Sequence, residues 1–258
     1  MKALVGDIGN TITKVCVIET KTFKILKIIY FNTSKISLKK IFKQKLKNFI
    51  NKKNLCKIAL FSIVVPKYKK IFKDFLRKEY SIKLKEIKEK NIKKIVKINI
   101  KNKNQVGSDR IANAVGVYRY YKDNCIVLDF GTATTFDVVT KKGIYNGGII
   151  APGVNLSLNS LINAADQIPI FSIKKQKKII GKNTIEALRS GFYWGYIGLV
   201  NNIILKIEKE TKKKYKIIFT GGYATLFKTS IKKRFTIDKN ITIKGIIEIF
   251  KENKEKFI

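Results

Sequence analysis

Two short turns carry the residue types that phosphate chemistry uses. Asp7-Ile8-Gly9-Asn10-Thr11-Ile12-Thr13 and Asp129-Phe130-Gly131-Thr132-Ala133-Thr134-Thr135 share an aspartate, an apolar residue, a glycine, and a hydroxyl- or amide-rich turn ending in threonine. Glycine lets the backbone approach a phosphate, and turn N–H groups and threonine hydroxyls donate to its oxygens. Asp7, ending an apolar strand, suits a hydrated Mg²⁺, which keeps its waters and takes few carboxylates. Lys14 supplies a point charge for a phosphate. A single Asp-x-Gly is an ordinary hairpin turn. Two of them, about half of the 258-residue chain apart, are what a duplicated lobe requires.

A third piece, Thr220-Gly221-Gly222, follows an apolar run. It can carry an adenosine on bare backbone, or simply make a tight strand-to-helix turn. A fourth, Val106-Gly107-Ser108-Asp109-Arg110, opens a helical pattern through Ile111, Ala114, Val115 and Tyr118. One reading is a capped helix start, with Ser108 as N-cap and Asp109 favoured by the macrodipole. The other uses the same field for chemistry. Asp109 is a base for a phosphoryl acceptor, and Arg110 a fork for a carboxylate. The sequence leaves both readings open.

These turns need strands and helices to hold them. Apolar or alternating runs predict strands at Ala3–Asp7, Lys14–Ile18, Ile25–Phe31 and Lys57–Val65. In the second half they fall at Asn124–Phe130, Thr135–Thr140, Gly143–Ile150 and Lys216–Thr220. Helical spacing joins Leu38, Ile41, Phe42, Leu46, Phe49 and Ile50, and joins Tyr68, Ile71, Phe72, Phe75 and Leu76 behind Pro66. It also predicts a helix from about Val154 and a terminal one through Ile243, Ile246, Ile247 and Phe250. Three strands, a helix, a strand and a helix, read twice, give an α/β chain. The boundary is expected near residue 115, giving lobes 1–115 and 116–258.

Composition narrows the chemistry. The chain has no histidine, so Ser-His-Asp and Cys-His catalysis and imidazole metal sites are excluded. Cys16, Cys56 and Cys125 are scattered thiols, read as core fillers in a reducing, cytoplasmic compartment. The long uncharged stretch from Gly143 to Ala165 holds Pro152, glycines and four asparagines, which argues against a membrane span. A net charge of +37 raises nucleic acid as a partner. The lysines run along the whole chain, however, as a compositional coat does, and no specific nucleic-acid motif is present.

The ordered set of motifs resembles the type III pantothenate kinase family, of the superfamily of actin, sugar kinases and heat-shock chaperones. To the two Asp-x-Gly turns it adds Ser62-Ile63-Val64-Val65-Pro66, Gly107-Ser108-Asp109-Arg110, Gly147-Gly148-Ile149-Ile150-Ala151-Pro152-Gly153, Gly181-Lys182-Asn183-Thr184 and Thr220-Gly221-Gly222. The resemblance implies two duplicated ribonuclease-H-like (actin-like) lobes, each a mixed sheet flanked by helices, with a nucleotide cleft between them. It implies phosphorylation of pantothenate by ATP or another nucleoside triphosphate, the first step of coenzyme A synthesis. It implies Mg²⁺, a monovalent cation (K⁺ or NH₄⁺) and a homodimer.

Carried over by residue, the nucleotide falls to Asp7 through Lys14 and to Thr132, with Gly221 and Gly222 as assigned above. Pantothenate falls to Gly107, Ser108, Asp109, Arg110 and, across the dimer, Thr184. Asp109 becomes the catalytic base and Asp129 the monovalent-cation ligand. The family's tyrosine and Asp-x-Pro before Gly-x-Asp-Arg are replaced by Ile100-Lys101-Asn102-Lys103-Asn104-Gln105, so a substrate contact is expected to be missing. A regulatory or nucleic-acid-binding relative is the alternative reading. A filament or chaperone ATPase would not need Gly-x-Asp-Arg.

Overall fold

The computed structural model describes residues 1–89, 95–228 and 233–257. Its first half opens with a hairpin and a third strand: β1 (Lys2–Ile8), β2 (Ile12–Glu19) and β3 (Ile25–Asn32). Then come α1 (Lys39–Phe49), β4 (Ile58–Ile63), α2 (Pro66–Tyr80), β5 (Lys83–Glu86), the short β6 (Lys97–Ile98) and α3 (Ser108–Tyr121). The second half repeats the plan with β7 (Cys125–Phe130), β8 (Ala133–Val139), β9 (Ile144–Pro152), α4 (Val154–Ala164) and α5 (Thr184–Thr211). It ends with β10 (Lys216–Gly221), β11 (Phe235–Ile237) and α6 (Ile241–Glu252).

The sheets carry the duplication. One runs β3-β2-β1-β4-β5 and the other β11-β10-β7-β8-β9-β6. Read from β9, the second repeats the order of the first, with β6 added at the edge. In each, the strand bearing Asp-x-Gly is central: β1 pairs antiparallel with β2 and parallel with β4, and β7 pairs antiparallel with β8 and parallel with β10. Both central strands are almost wholly buried apolar runs, as two-sided burial requires. β3 has only one buried residue, Phe31, as befits an edge.

Two compact units form. The first holds Met1–Lys122, Lys142–Tyr145 and Asn240–Ile258, and the second Asp123–Lys141 and Asn146–Lys239. The sequence put the boundary near residue 115. The difference is that α3 stays whole in the first unit and α6 returns to it. There α6 packs on α3, with the Thr242 hydroxyl donating to Asn113 Oδ1 at 2.8 Å, both buried. No local pattern announces that return.

The first core gathers Leu4, Ile8, Phe42, Leu46, Phe61 and Phe72, with the Phe42 and Phe72 rings 4.8 Å apart. The expected α1 stripe is narrower than its spacing implied: Phe42 and Leu46 are buried, while Ile41 is 56% exposed. The second core gathers Leu128, Phe130, Phe136, Tyr193, Phe219 and Phe227. Pro66 occupies the first turn of α2, where its missing N–H costs nothing.

The sequence reading omitted α5, a helix of 28 residues. It carries apolar residues on exposed as well as buried faces, Ile185 and Leu205 beside Tyr193, Val200 and Ile204, which blurs the 3.6-residue stripe. Its start was readable from Asn183 and Glu186: Asn183 Oδ1 caps Glu186 N at 2.9 Å, and Glu186 Oε2 accepts from Lys182 N, one residue before the cap, at 2.9 Å.

Candidate active site

In the first unit, the Asp7 turn joins β1 to β2. Asp7 is buried and lies directly opposite Lys14 across the ladder, so both side chains leave the same face. Asn10, Thr11 and Ile12 are exposed, while Ile8 and Thr13 are buried. Gly9 N donates to Ile12 O at 3.2 Å and closes the turn.

Asp7 also neighbours Ser62 on β4, and there the second motif enters. Ser62 Oγ donates to Ser108 Oγ at 3.1 Å, and Ile63 N donates to the same Ser108 oxygen at 2.9 Å. Ser108 is therefore not the N-cap the sequence suggested. Gly107 occupies that position and has no side chain to cap with. The Ser108 hydroxyl ties the helix start to the strand beside Asp7.

Asp109 follows, partly buried in the first turn of α3. Its Oδ1 accepts from Arg110 N at 2.8 Å. Burial pushes its pKa above the ordinary 3.8, opposed by the helix N–H groups and the nearby Arg110 and Lys88 charges. The carboxylate folds back over Gly107, where a Cβ would stand 2.4 Å from Asp109 Oδ1. Only glycine leaves that space.

In the second unit, β7 carries Asp129 between Thr220 of β10 and Thr135 of β8. Gly221 adopts φ +85°, and a Cβ on it would lie 2.6 Å from both Asp129 Oδ1 and the Phe130 backbone. The Asp129 and Thr-Gly-Gly motifs are thus one cluster. Thr220 Oγ1 is buried there without a hydrogen-bond partner among the described residues. Gly131 and Thr132 are exposed in the β7–β8 turn, and Gly222 is exposed beyond β10. Thr184 stands apart, exposed at the first position of α5.

A family model described as type III pantothenate kinase matches residues 3–206. A type III pantothenate kinase of Pelagibacter ubique (strain HTCC1062) is 50% identical over 244 residues, which is 95% of this chain and 96% of that one. The chain belongs to the type III pantothenate kinase family.

Solved structures support the same actin-like fold at low identity. A protein of Campylobacter jejuni described as a Baf family transcriptional activator superposes with a TM-score of 0.63 at 20% identity, covering 98% of this chain and 99% of that one. The activator of 2-hydroxyisocaproyl-CoA dehydratase from Clostridium difficile, solved with bound ADPNP, gives 0.56 at 11%, covering 99% and 97%.

Ile100, where the sequence reading expects a tyrosine of the type III pantothenate kinase family to be missing, is half-buried. An aromatic ring nevertheless stands beside Arg110. The buried Tyr145 lies with its ring centroid 5.9 Å from the guanidinium carbon. The sequence did not single out Tyr145, because its placement depends on β6 pairing with β9 (Ile98↔Tyr145). Thr33 was missed too. It is fully buried, and its hydroxyl meets the first turn.

Proposed function

We propose that this chain transfers the γ-phosphoryl group of ATP to the primary hydroxyl of pantothenate, giving 4′-phosphopantothenate and ADP, the first step of coenzyme A synthesis. The observation that carries this is the Asp109 carboxylate. It is held at the start of α3 by the Ser108 bonds to β4, the strand next to the one ending in the Asp7 turn.

Asp109 orients the acceptor hydroxyl and takes its proton as the new O–P bond forms and the bond from the γ-phosphorus to the ADP oxygen breaks. Phosphoryl transfer needs only a weak base, since proton removal comes late in a loose transition state. Gly107 and Arg110 bind pantothenate, with the Arg110 fork matching its carboxylate, and the buried Ser108 side chain anchors them to β4. Asn10, Thr11 and the first-turn backbone, Lys14, Thr132, and the Gly221-Gly222 backbone bind ATP, while the buried Thr13 hydroxyl is held within the turn by Thr33.

Among the described residues, no three His, Cys, Asp or Glu side chains cluster as metal ligands. A cation at either Asp-x-Gly turn would take that turn's aspartate plus neutral oxygens and water. At Asp7 that set fits a hydrated Mg²⁺, which when bound neutralises phosphate charge. At Asp129, the buried Thr220 Oγ1 adds a neutral oxygen, which fits K⁺ or NH₄⁺.

A homodimer completes the reading, with Thr184 reaching the partner's substrate. In support, a groove of about 600 Å³ is lined by Thr184, Gly191, Phe192, Gly195, Tyr196 and Leu199. Ile170, Ile179 and Ile180 are 88%, 69% and 71% exposed in the same unit, and apolar surface of this kind calls for a cover. No described helix is long and apolar enough to cross a membrane. The three buried, unpaired cysteines suit the cytoplasm.

The test is a coupled ADP-release assay with and without pantothenate. Turnover that requires pantothenate, with 4′-phosphopantothenate as product, is the expected result. ADP release indifferent to pantothenate, or none at all, refutes the kinase reading.

A further inference from the structure

Thr33 follows β3, at the start of a short 3₁₀ turn (Thr33–Ile36) whose N-cap is Asn32. It has no surface exposure and belongs to none of the motifs. Its hydroxyl donates to Gly9 O at 2.7 Å. A threonine hydroxyl has one proton, so in the 2.9 Å contact between Thr33 Oγ1 and Thr13 Oγ1 the donor is Thr13. The Thr33 backbone N–H donates to Thr11 O at 2.8 Å. One residue thus takes two carbonyls of the first phosphate turn and one of its hydroxyls. Gly9 N takes a third carbonyl, that of Ile12.

The consequence follows from peptide geometry. In a planar trans peptide the C=O and the next N–H point in opposite directions. With the Gly9 and Thr11 carbonyls turned towards Thr33, the Asn10 and Ile12 N–H groups are turned away from it. A carbonyl facing a phosphate repels it, whereas an N–H attracts it. Fixing the peptide planes beforehand spares the ligand the cost of ordering them. Thr33 suits the task because its β-branched side chain is stiff at χ1.

We propose that Thr33 is a positioning residue for the nucleotide phosphates, holding the first turn with its N–H groups presented to the anion. This rests on the kinase reading, but its first readout does not need turnover. ADP binding to the full chain is measured by calorimetry for the wild type, Thr33→Val and Thr33→Ser, at a temperature where each is folded by circular dichroism. Valine keeps the shape and removes the hydroxyl, leaving the Gly9 carbonyl unsatisfied.

The expected result is an ADP Kd and an ATP KM raised about tenfold in Thr33→Val, with the pantothenate KM within about twofold and Thr33→Ser restoring nucleotide binding to within about threefold. If Thr33→Val does not fold, Thr33→Ala against Thr33→Ser makes the same comparison of hydroxyl absent with hydroxyl present. A folded hydroxyl-free variant with wild-type ADP affinity overturns the proposal, whatever its melting temperature. So does a serine variant as weak as the hydroxyl-free one, or a wild-type protein that does not bind ADP. A wild-type protein that binds ADP yet does not phosphorylate pantothenate refutes the kinase reading alone, and the Kd comparison still decides the role of Thr33.

Discussion

At the scale of single residues, Asp109 sits in the first turn of α3, and its proposed role as the base can be tested there. Its carboxylate accepts a helix-start N–H and is also partly buried, with its pKa raised. The raised pKa means the folded state disfavours the charged form, so ionised Asp109 costs stability above its folded pKa and costs nothing once protonated. As a base it must be ionised. The acid limb of kcat/KM is therefore expected above the ordinary carboxylate range and absent from the Asn variant. Asp109→Asn removes the base and the ionisation cost together, so kcat should fall by ~10²–10⁴-fold with no fall in melting temperature. Gly107→Ala makes the complementary test. The backbone at Gly107, φ −58° and ψ 145°, suits alanine, but the new Cβ displaces the carboxylate. A loss of kcat with unchanged or slightly higher stability is expected. Full activity in both variants would remove Asp109 from the chemistry.

At the scale of elements, the cluster at the end of β7 and β10 depends on how closely the two strands approach. Gly221 at φ +85° has no room for a Cβ against the Phe130 backbone, whereas a Cβ on Gly222 meets nothing within 4 Å. Gly221→Ala should cost about 2 kcal/mol or more, from the left-handed backbone and the collision. By differential scanning calorimetry that is a melting temperature lower by ~4–8 °C. Gly222→Ala should leave it within about 2 °C. Equal effects at the two glycines would contradict the β7–β10 register. The strands themselves were legible because β1, β4, β7 and β10 are continuous apolar runs. The capping of α3 was misread because Ser108 is a good N-cap by type. Its actual partners, Ser62 and Ile63, are distant in sequence.

At the scale of the whole molecule, +37 is the most conspicuous number and the least informative about chemistry. Several lysines are used locally: Lys69 bridges Glu86 and Glu89, Lys47 meets Glu79, and Lys45 and Lys52 lie over the rings of Phe31 and Tyr80. Were the lysines no more than a coat, they would bind DNA only through its phosphates. Electrophoretic and anisotropy titrations should show affinity without sequence preference, falling by about 10³-fold or more between 50 and 200 mM salt. Nanomolar, sequence-selective binding at the higher salt would show a nucleic-acid function that the coat does not explain.

The family entered through the resemblance of the ordered motifs, whereas the two Asp-x-Gly turns, the Gly-x-Asp-Arg helix start, most strands and the exclusion of histidine chemistry were legible in the chain directly. Each rests on residue type and short-range spacing, which act locally. Long-range packing set the rest: Ser108 anchors α3 to β4, Gly221 lies against Asp129, Tyr145 stands beside Arg110, and α6 joins the first unit. The same holds for Thr33, which reaches back 24 residues to Gly9. A threonine after a strand has no local mark of such a role. Its partner is chosen when β3 pairs with β2 in register Ile12↔Asn32, and register is set by which face of the sheet is buried, a property of the assembled core.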